Sequence, residues 1–297
     1  MLSSCFTGVE GTKKITLSKE DRKAIRSSEE DNFLSSVKST PLMDWEKGRP
    51  FLVADNRAIL IFDQQGLPPD PDATGLGGST LLFDGIENRI NLAGKSSVCI
   101  VFTAADGSKY VYNTGKTPEQ AREGIKSDNI PMLIDLGMIQ EAANLLNGKK
   151  LWTRTSLWYD RNGNRIKGKK FVPVNVSVVG PGSMVFPLKV GFTDMNGNYA
   201  EVFLNFGNSG TDSRSFSHIF YLDDIRKKFP SVSDEVWELI CNEKIQKGMT
   251  KEECKLSLGN PSEVSAGHDY SQTLDLWHYP DGSVLWFEDG LLSRFRK

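Results

Sequence analysis

The sequence predicts an α+β protein, with a β-rich N-terminal region built around a small antiparallel sandwich or barrel and a C-terminal helix-helix-three-strand domain. Three observations predict it. Apolar runs of strand length recur between glycine-containing turns over 150–221. A capped stretch opens a helix at Thr117, and apolar residues recur at helical spacing over Asp135 to Leu146. The segment 231–297 opens with two short capped helices and continues as strands joined by glycine turns.

A chain of 297 residues exceeds what one core usually serves. Residues 1–16 read as a tether, 17–148 as a mixed α/β region, 149–230 as an antiparallel β domain and 231–297 as the last domain. Leu17 to Val37 is polar and helical in part, with Ser18 and Asp21 as a capping box and Phe33, Leu34 and Val37 as its apolar contacts. Phe51 to Val53 and Ala58 to Phe62 are apolar runs between turn signals and read as the first strands. Gly66 to Thr80 is rich in proline and glycine and reads as a long, exposed, mobile loop. Its Gly75 to Thr80 lacks the lysine and the strand-loop-helix setting of a phosphate-cradling loop. Ala105-Asp106-Gly107 joins two apolar runs over Val98 to Tyr112 as a hairpin. Thr117, Pro118 and Gln120 open one helix, and Leu136, Ile139, Ala142, Ala143 and Leu146 line a second that ends before Gly148.

The strands expected next are Leu151 to Tyr159, Lys170 to Val179, Met184 to Thr193 and Tyr199 to Phe206. Two of their turns, Asp160 to Asn164 and Asp194 to Asn198, read D-x-N-G-N. A calcium loop of the helix-loop-helix kind needs glycine sixth and an acid twelfth, so these are hairpin turns and no metal is expected. Lys167, Lys169 and Lys170, and Arg226, Lys227 and Lys228, are short basic clusters that read as solvated faces. With a net charge of −2, the chain carries no nucleic-acid footprint.

Ser233 caps a helix over Asp234 to Cys241, with acids near the positive end of its dipole. Thr250 and Glu253 form the capping box of a second helix, which Gly259 and Pro261 end after Leu258. Strands then follow over Leu274 to Tyr279, Val284 to Phe287 and Leu291 to Phe295. Three hairpin-linked strands need a cover on one face. Trp237, Ile240, Ile245 and Leu258 are expected to supply it, against Leu276 or Trp277, Trp286 and Phe295. The many large rings either fill two cores or line a groove; if they bind, Trp277, Tyr279 and Trp286 are the residues expected to meet a partner.

The series Trp237, Ile240, Ile245, Gly248-Met249-Thr250, Glu253, Leu258-Gly259, Pro261, Trp277-x-Tyr279 and Asp289-Gly290 resembles the SmpA/OmlA (BamE-like) domain family. The resemblance covers about residues 233–297 and leaves the rest of the chain without a likeness. It implies a small outer-membrane lipoprotein domain of Gram-negative bacteria that supports the machinery inserting β-barrels, with Trp237, Gly248, Met249, Thr250, Glu253, Leu258, Gly259 and Pro261 as its motif. The same shape recurs in proteins that inhibit β-lactamases, so shape alone fixes no partner.

Leu2-Ser3-Ser4-Cys5 matches the end of a bacterial lipoprotein signal, making Cys5 the candidate lipid anchor, although the basic and apolar parts of a signal are not in the chain. No stretch has the roughly 20 apolar residues that cross a bilayer as a helix. The other cysteines, Cys99, Cys241 and Cys254, form no zinc pattern, and Cys241 and Cys254 read as small core residues. The three histidines, His218, His268 and His278, read as structural or exposed. With no nucleophile elbow, zinc-protease or nucleotide motif, no catalytic residue, metal or cofactor is expected. The expectation is a non-catalytic cell-envelope lipoprotein, in the outer membrane or periplasm, that binds a protein partner. The alternatives are a soluble, cytoplasmic or secreted, binding or inhibitor protein without a lipid, and a hydrolase using Gly75 to Thr80 as a lid.

Overall fold

Local capping and turn chemistry place most of the elements. In a computed structural model, the structure describes residues 28–63, 75–90, 94, 96–206, 214–269 and 272–297. Cys5, the tether, the Ser18 capping box and loop residues 66–74 lie outside the described residues. The chain is an α+β protein with three antiparallel sheets.

The first sheet contains β1 (Pro50–Val53), β2 (Thr80–Ile90), β3 (Ser96–Thr103), β4 (Lys109–Asn113) and β5 (Leu133–Asp135), in the order β4-β3-β2-β1-β5. Gly107, at φ 84°, turns β3 into β4 as the sequence requires. Phe51, Leu81, Ile100 and Phe102 fill its core. Ala121 of α2 (Pro118–Gly124) closes it, and α2 carries the expected Thr117 and Gln120 capping box. Two expectations fail here. Ala58 to Phe62 is no strand but mostly a 3₁₀ helix over Asn56–Ile61, because the Asp55 carboxylate accepts the Arg57 N–H at 2.8 Å and turns the chain. Gly75 to Ser79 is a turn pinned where the Gly77 N–H donates to Asn56 Oδ1 at 2.6 Å. Thr80 already belongs to β2.

The second sheet runs β12-β6-β9-β10-β11-β7-β8, from β6 (Lys150–Thr153), β7 (Leu157–Tyr159), β8 (Arg165–Lys167), β9 (Pro173–Pro181), β10 (Leu188–Asp194), β11 (Tyr199–Leu204) and β12 (Phe220–Tyr221). It is one open sheet, not a sandwich or a closed barrel. Its apolar face is covered by α3 (Leu136–Leu146), whose Met138, Ile139, Ala142 and Leu146 share a core with Val174, Val190, Phe192 and Val202. Alternation along a strand reports that one face is buried and not what buries it. Leu34 and Val37, just after α1 (Glu29–Asn32), join that core, and Phe33 stacks on Phe216 at 4.4 Å. In both D-x-N-G-N turns the aspartate oxygens are filled from within: Asp160 and Asp194 each accept two backbone N–H groups and the side-chain amide of Asn164 or Asn198.

The third sheet has four strands, not three: β13 (Glu263–Asp269), β14 (Gln272–His278), β15 (Val284–Glu288) and β16 (Leu291–Arg296), paired in sequence. Helices α5 (Asp234–Cys241) and α6 (Lys251–Leu258) precede them, capped by Ser233 and by the Thr250 and Glu253 box. β13 carries one large apolar side chain, Val264, which is 53% exposed at the sheet edge, so it has no buried face to announce it in the sequence. Among the described residues no helix is long and apolar enough to cross a membrane.

Cys99, Cys241 and Cys254 are buried and free. Burial pushes the Cys241 thiol up to about 11 and that of Cys254 up to about 12. In a Cys5→Ser variant, a disulfide thiol reagent at pH 8 is expected to label the folded chain slowly and to react with all three thiols in denaturant. Fast labelling of Cys241 or Cys254 before unfolding would contradict this burial.

Candidate functional site

The residues of the motif build the frame of the C-terminal module. Gly248, at φ 87°, lets the segment between the helices fold back along β16. There the Gly248 N–H donates to the Leu292 carbonyl and the Leu292 N–H to the Met249 carbonyl, both at 2.8 Å. Met249 is 1% exposed, in the core. Thr250 caps α6, and its own N–H donates to Glu253 Oε2 at 2.7 Å. Leu258 packs against the core, and Gly259, at φ 88°, ends the helix before Pro261.

Two of the three rings expected at a binding surface are instead part of the core. Trp277 is 3% exposed and lies 4.6 Å from the Phe287 ring. Tyr279 is 7% exposed, and its hydroxyl donates to the Gly259 carbonyl at 3.1 Å. Burial pushes the Tyr279 hydroxyl up to about 12. Their parity on the strand decides this. Trp277 pairs with Leu285, and both face the helices beside Phe287.

The opposite parity carries Leu274, Leu276, Trp286 and Glu288, with Leu276 paired to Trp286 and Trp286 to Arg294. No described element lies over this face. Trp286 is half-buried, under the Arg294 guanidinium at 4.3 Å, and Leu274 is 37% exposed. Together they line a concavity of about 580 Å³. Trp286 therefore does not meet the helices as the sequence suggested, and Phe295, although paired with Leu285, is not buried among them. Trp286 sits on the outer face, and Phe295 is exposed on an edge strand.

Trp237 is partly buried against the third core and has neighbours that the sequence did not suggest. It packs on Phe171 at 5.5 Å and Phe229 at 6.2 Å, with the Arg226 guanidinium 4.9 Å away. These partners come from the preceding part of the chain. A short segment leaves β8 at Gly168, where a Cβ would sit 2.1 Å from the Trp158 indole, so the backbone lies flat on that ring. Lys169 then pairs with Glu238, and the Lys170 N–H donates to the Cys241 carbonyl at 2.9 Å. The Lys170 ammonium donates to the Ser257 carbonyl at 2.7 Å, near the C-terminal end of α6. Phe171, at φ 58°, joins the third core. Lys169 and Lys170 are thus tied to the module rather than forming a solvated face. Arg226 likewise donates to the Phe229 and Val232 carbonyls. No local pattern in 168–171 signals this, because its partners lie far along the chain.

Of the histidines, His218 Nδ1 lies 2.7 Å from Ser215 Oγ, which lies 3.1 Å from Ser217 Oγ. Both serines are buried, at 2% and 5% exposure, so the pair offers a substrate no approach. Ser215 stands at the N-cap position of α4 (Phe216–Ile219), with its hydroxyl on the His218 ring and not on a backbone N–H. Set beside known proteins, the chain matches no family model, no curated protein and no solved structure.

Proposed function

We propose that this protein is a non-catalytic cell-envelope lipoprotein, anchored through Cys5, that docks a protein partner on the outer face of its BamE-like C-terminal sheet. The observation that carries the reading is an apolar sheet face over which no described element lies: Leu274, Leu276 and Trp286, flanked by Arg294 and Glu288. An aromatic anchor under an arginine, with aliphatic neighbours and a charged rim, is the composition of a protein-binding hot spot. The motif residues support the module as its scaffold and leave contact to that face. The soluble binding protein remains the second reading, since the same face would serve it without a lipid.

A photo-crosslinking side chain placed at Leu274 is expected to trap one discrete partner in cells, and Leu276→Glu to abolish the adduct. Trp286→Ala is expected to reduce the adduct while costing less than about 2 kcal/mol of stability, because the ring is only half-buried. The same adduct from a probe at Leu60, on the first domain and 51% exposed, would sink the docking face. Intact mass and detergent partitioning of the protein expressed from its native upstream sequence test the anchor separately. Cleavage before Cys5 with added acyl chains supports it, and an unmodified chain in the aqueous phase leaves the soluble reading.

A further inference from the structure

A second concavity, of about 370 Å³, lies where the second sheet meets α6. Three cations line it: Arg154, Lys170 and Lys255. Arg154 donates through Nη1 to the Ser217 carbonyl at 2.7 Å, and its guanidinium lies 5.0 Å from the Tyr221 ring. Lys255 lies 5.3 Å from the Trp277 ring. Among the described residues neither has a carboxylate within ion-pair distance. Lys170 has one only at 3.8 Å, on Glu243, and its side chain is 12% exposed. Burial pushes the Lys170 ammonium down, and the nearby Arg154 charge adds to that. Glu252 is the single acid of the lining, and Tyr221 and Phe229 form apolar walls.

Like charges gathered at one concave site repel one another, and an anion between them removes that cost while completing their hydrogen bonds. We propose that this cleft binds a small dianion with an apolar body, a phosphate monoester or a dicarboxylate. Glu252 in the lining and Glu243 beside Lys170 offset part of the three positive charges, and the remaining donors of Arg154 and Lys255 favour an anion with several acceptor oxygens, as a phosphate or a dicarboxylate has. Tyr221 and Phe229 favour a flat apolar body, since rings flanking a polar anchor are the usual lining of a small-molecule site. The site is independent of the outer sheet face, and neither the motif nor the proposed docking uses Arg154 or Lys255.

The test is calorimetric titration of the full chain with phenyl phosphate and with benzene-1,3-dicarboxylate, with benzyl alcohol as the uncharged control. One dianion is expected to bind at one site per chain and more weakly as salt is raised. Arg154→Gln and Lys255→Gln, both surface positions that leave the fold intact by circular dichroism, are each expected to weaken binding about tenfold. The preferred dianion identifies the headgroup. Absence of heat and of amide shifts with both dianions at millimolar concentration would overturn the proposal. So would binding unchanged in the double variant, or binding of the alcohol equal to that of the dianions.

Discussion

Phe171→Ala is expected to destabilise the protein by about 3–5 kcal/mol, as for other buried phenylalanines. The ring is 7% exposed and packs against Trp237 and Tyr221, at 5.5 and 6.0 Å. It is held by a non-glycine backbone at φ 58°, a conformation that costs about 1–2 kcal/mol and persists only where packing compensates it. The loss should fall on the C-terminal module, because Phe171 reaches its core from outside 231–297. Urea unfolding followed by tryptophan fluorescence measures the total. Near-ultraviolet circular dichroism and amide exchange show where packing loosens. A module that keeps its exchange protection in Phe171→Ala would mean that it folds without the preceding sheet. The Phe171–Trp237 pair should also couple by about 1 kcal/mol in a double-mutant cycle.

Arg49→Ala should cost about 3 kcal/mol, the low end of the range for breaking a buried ion pair. Asp135 has a side chain only 2% exposed and meets Arg49 Nη2 at 2.5 Å. It also accepts the Gly137 N–H at 2.9 Å, so one carboxylate ends β5, caps α3 and binds the residue before β1. Without the guanidinium it is a buried charge with one partner. Arg49 itself keeps 17% of its side chain exposed, which places the cost at the lower end. Asp135→Asn in the Arg49→Ala background should recover part of the loss, since the amide oxygen still caps α3 and no charge remains. Equal midpoints for Arg49→Ala and the wild type in urea would show that the pair adds no net stability.

These two effects mark where local sequence stops being informative. The hairpin at Gly107, the capping boxes at Thr117 and Thr250, the Ser233 cap and the α3 stripe were all legible, because each depends on residues within a few positions. Ala58 to Phe62 reads as a strand because its apolar run has strand length, while one side chain, Asp55, turns the backbone. The fourth strand, β13, leaves no signal in the sequence because an edge strand exposed on both faces lacks an apolar period. β2 gives a weak strand signal for the same reason, since its outer half, Glu87 to Ile90, is exposed throughout.

The candidate site was legible in position but not in orientation. The sequence placed the aromatic residues of the module on strands, and the register decided their faces. Trp277 and Tyr279 turned to the helices, and Trp286 to the outside. The junction cleft was not legible at all, since Arg154, Lys170 and Lys255 are distant in sequence and each reads alone as a surface cation.

By itself the sequence determined the helix ends, the turns, the α+β class and the two helices that open the C-terminal module, since caps and turn residues act over a few bonds. Only the tertiary structure decided that a helix, and not another sheet, covers the second sheet. It also decided that 169–171 closes the third core and which ring of each strand faces outward. Those outcomes depend on how distant apolar faces find a mutual cover, and no local pattern names the partner that will provide it.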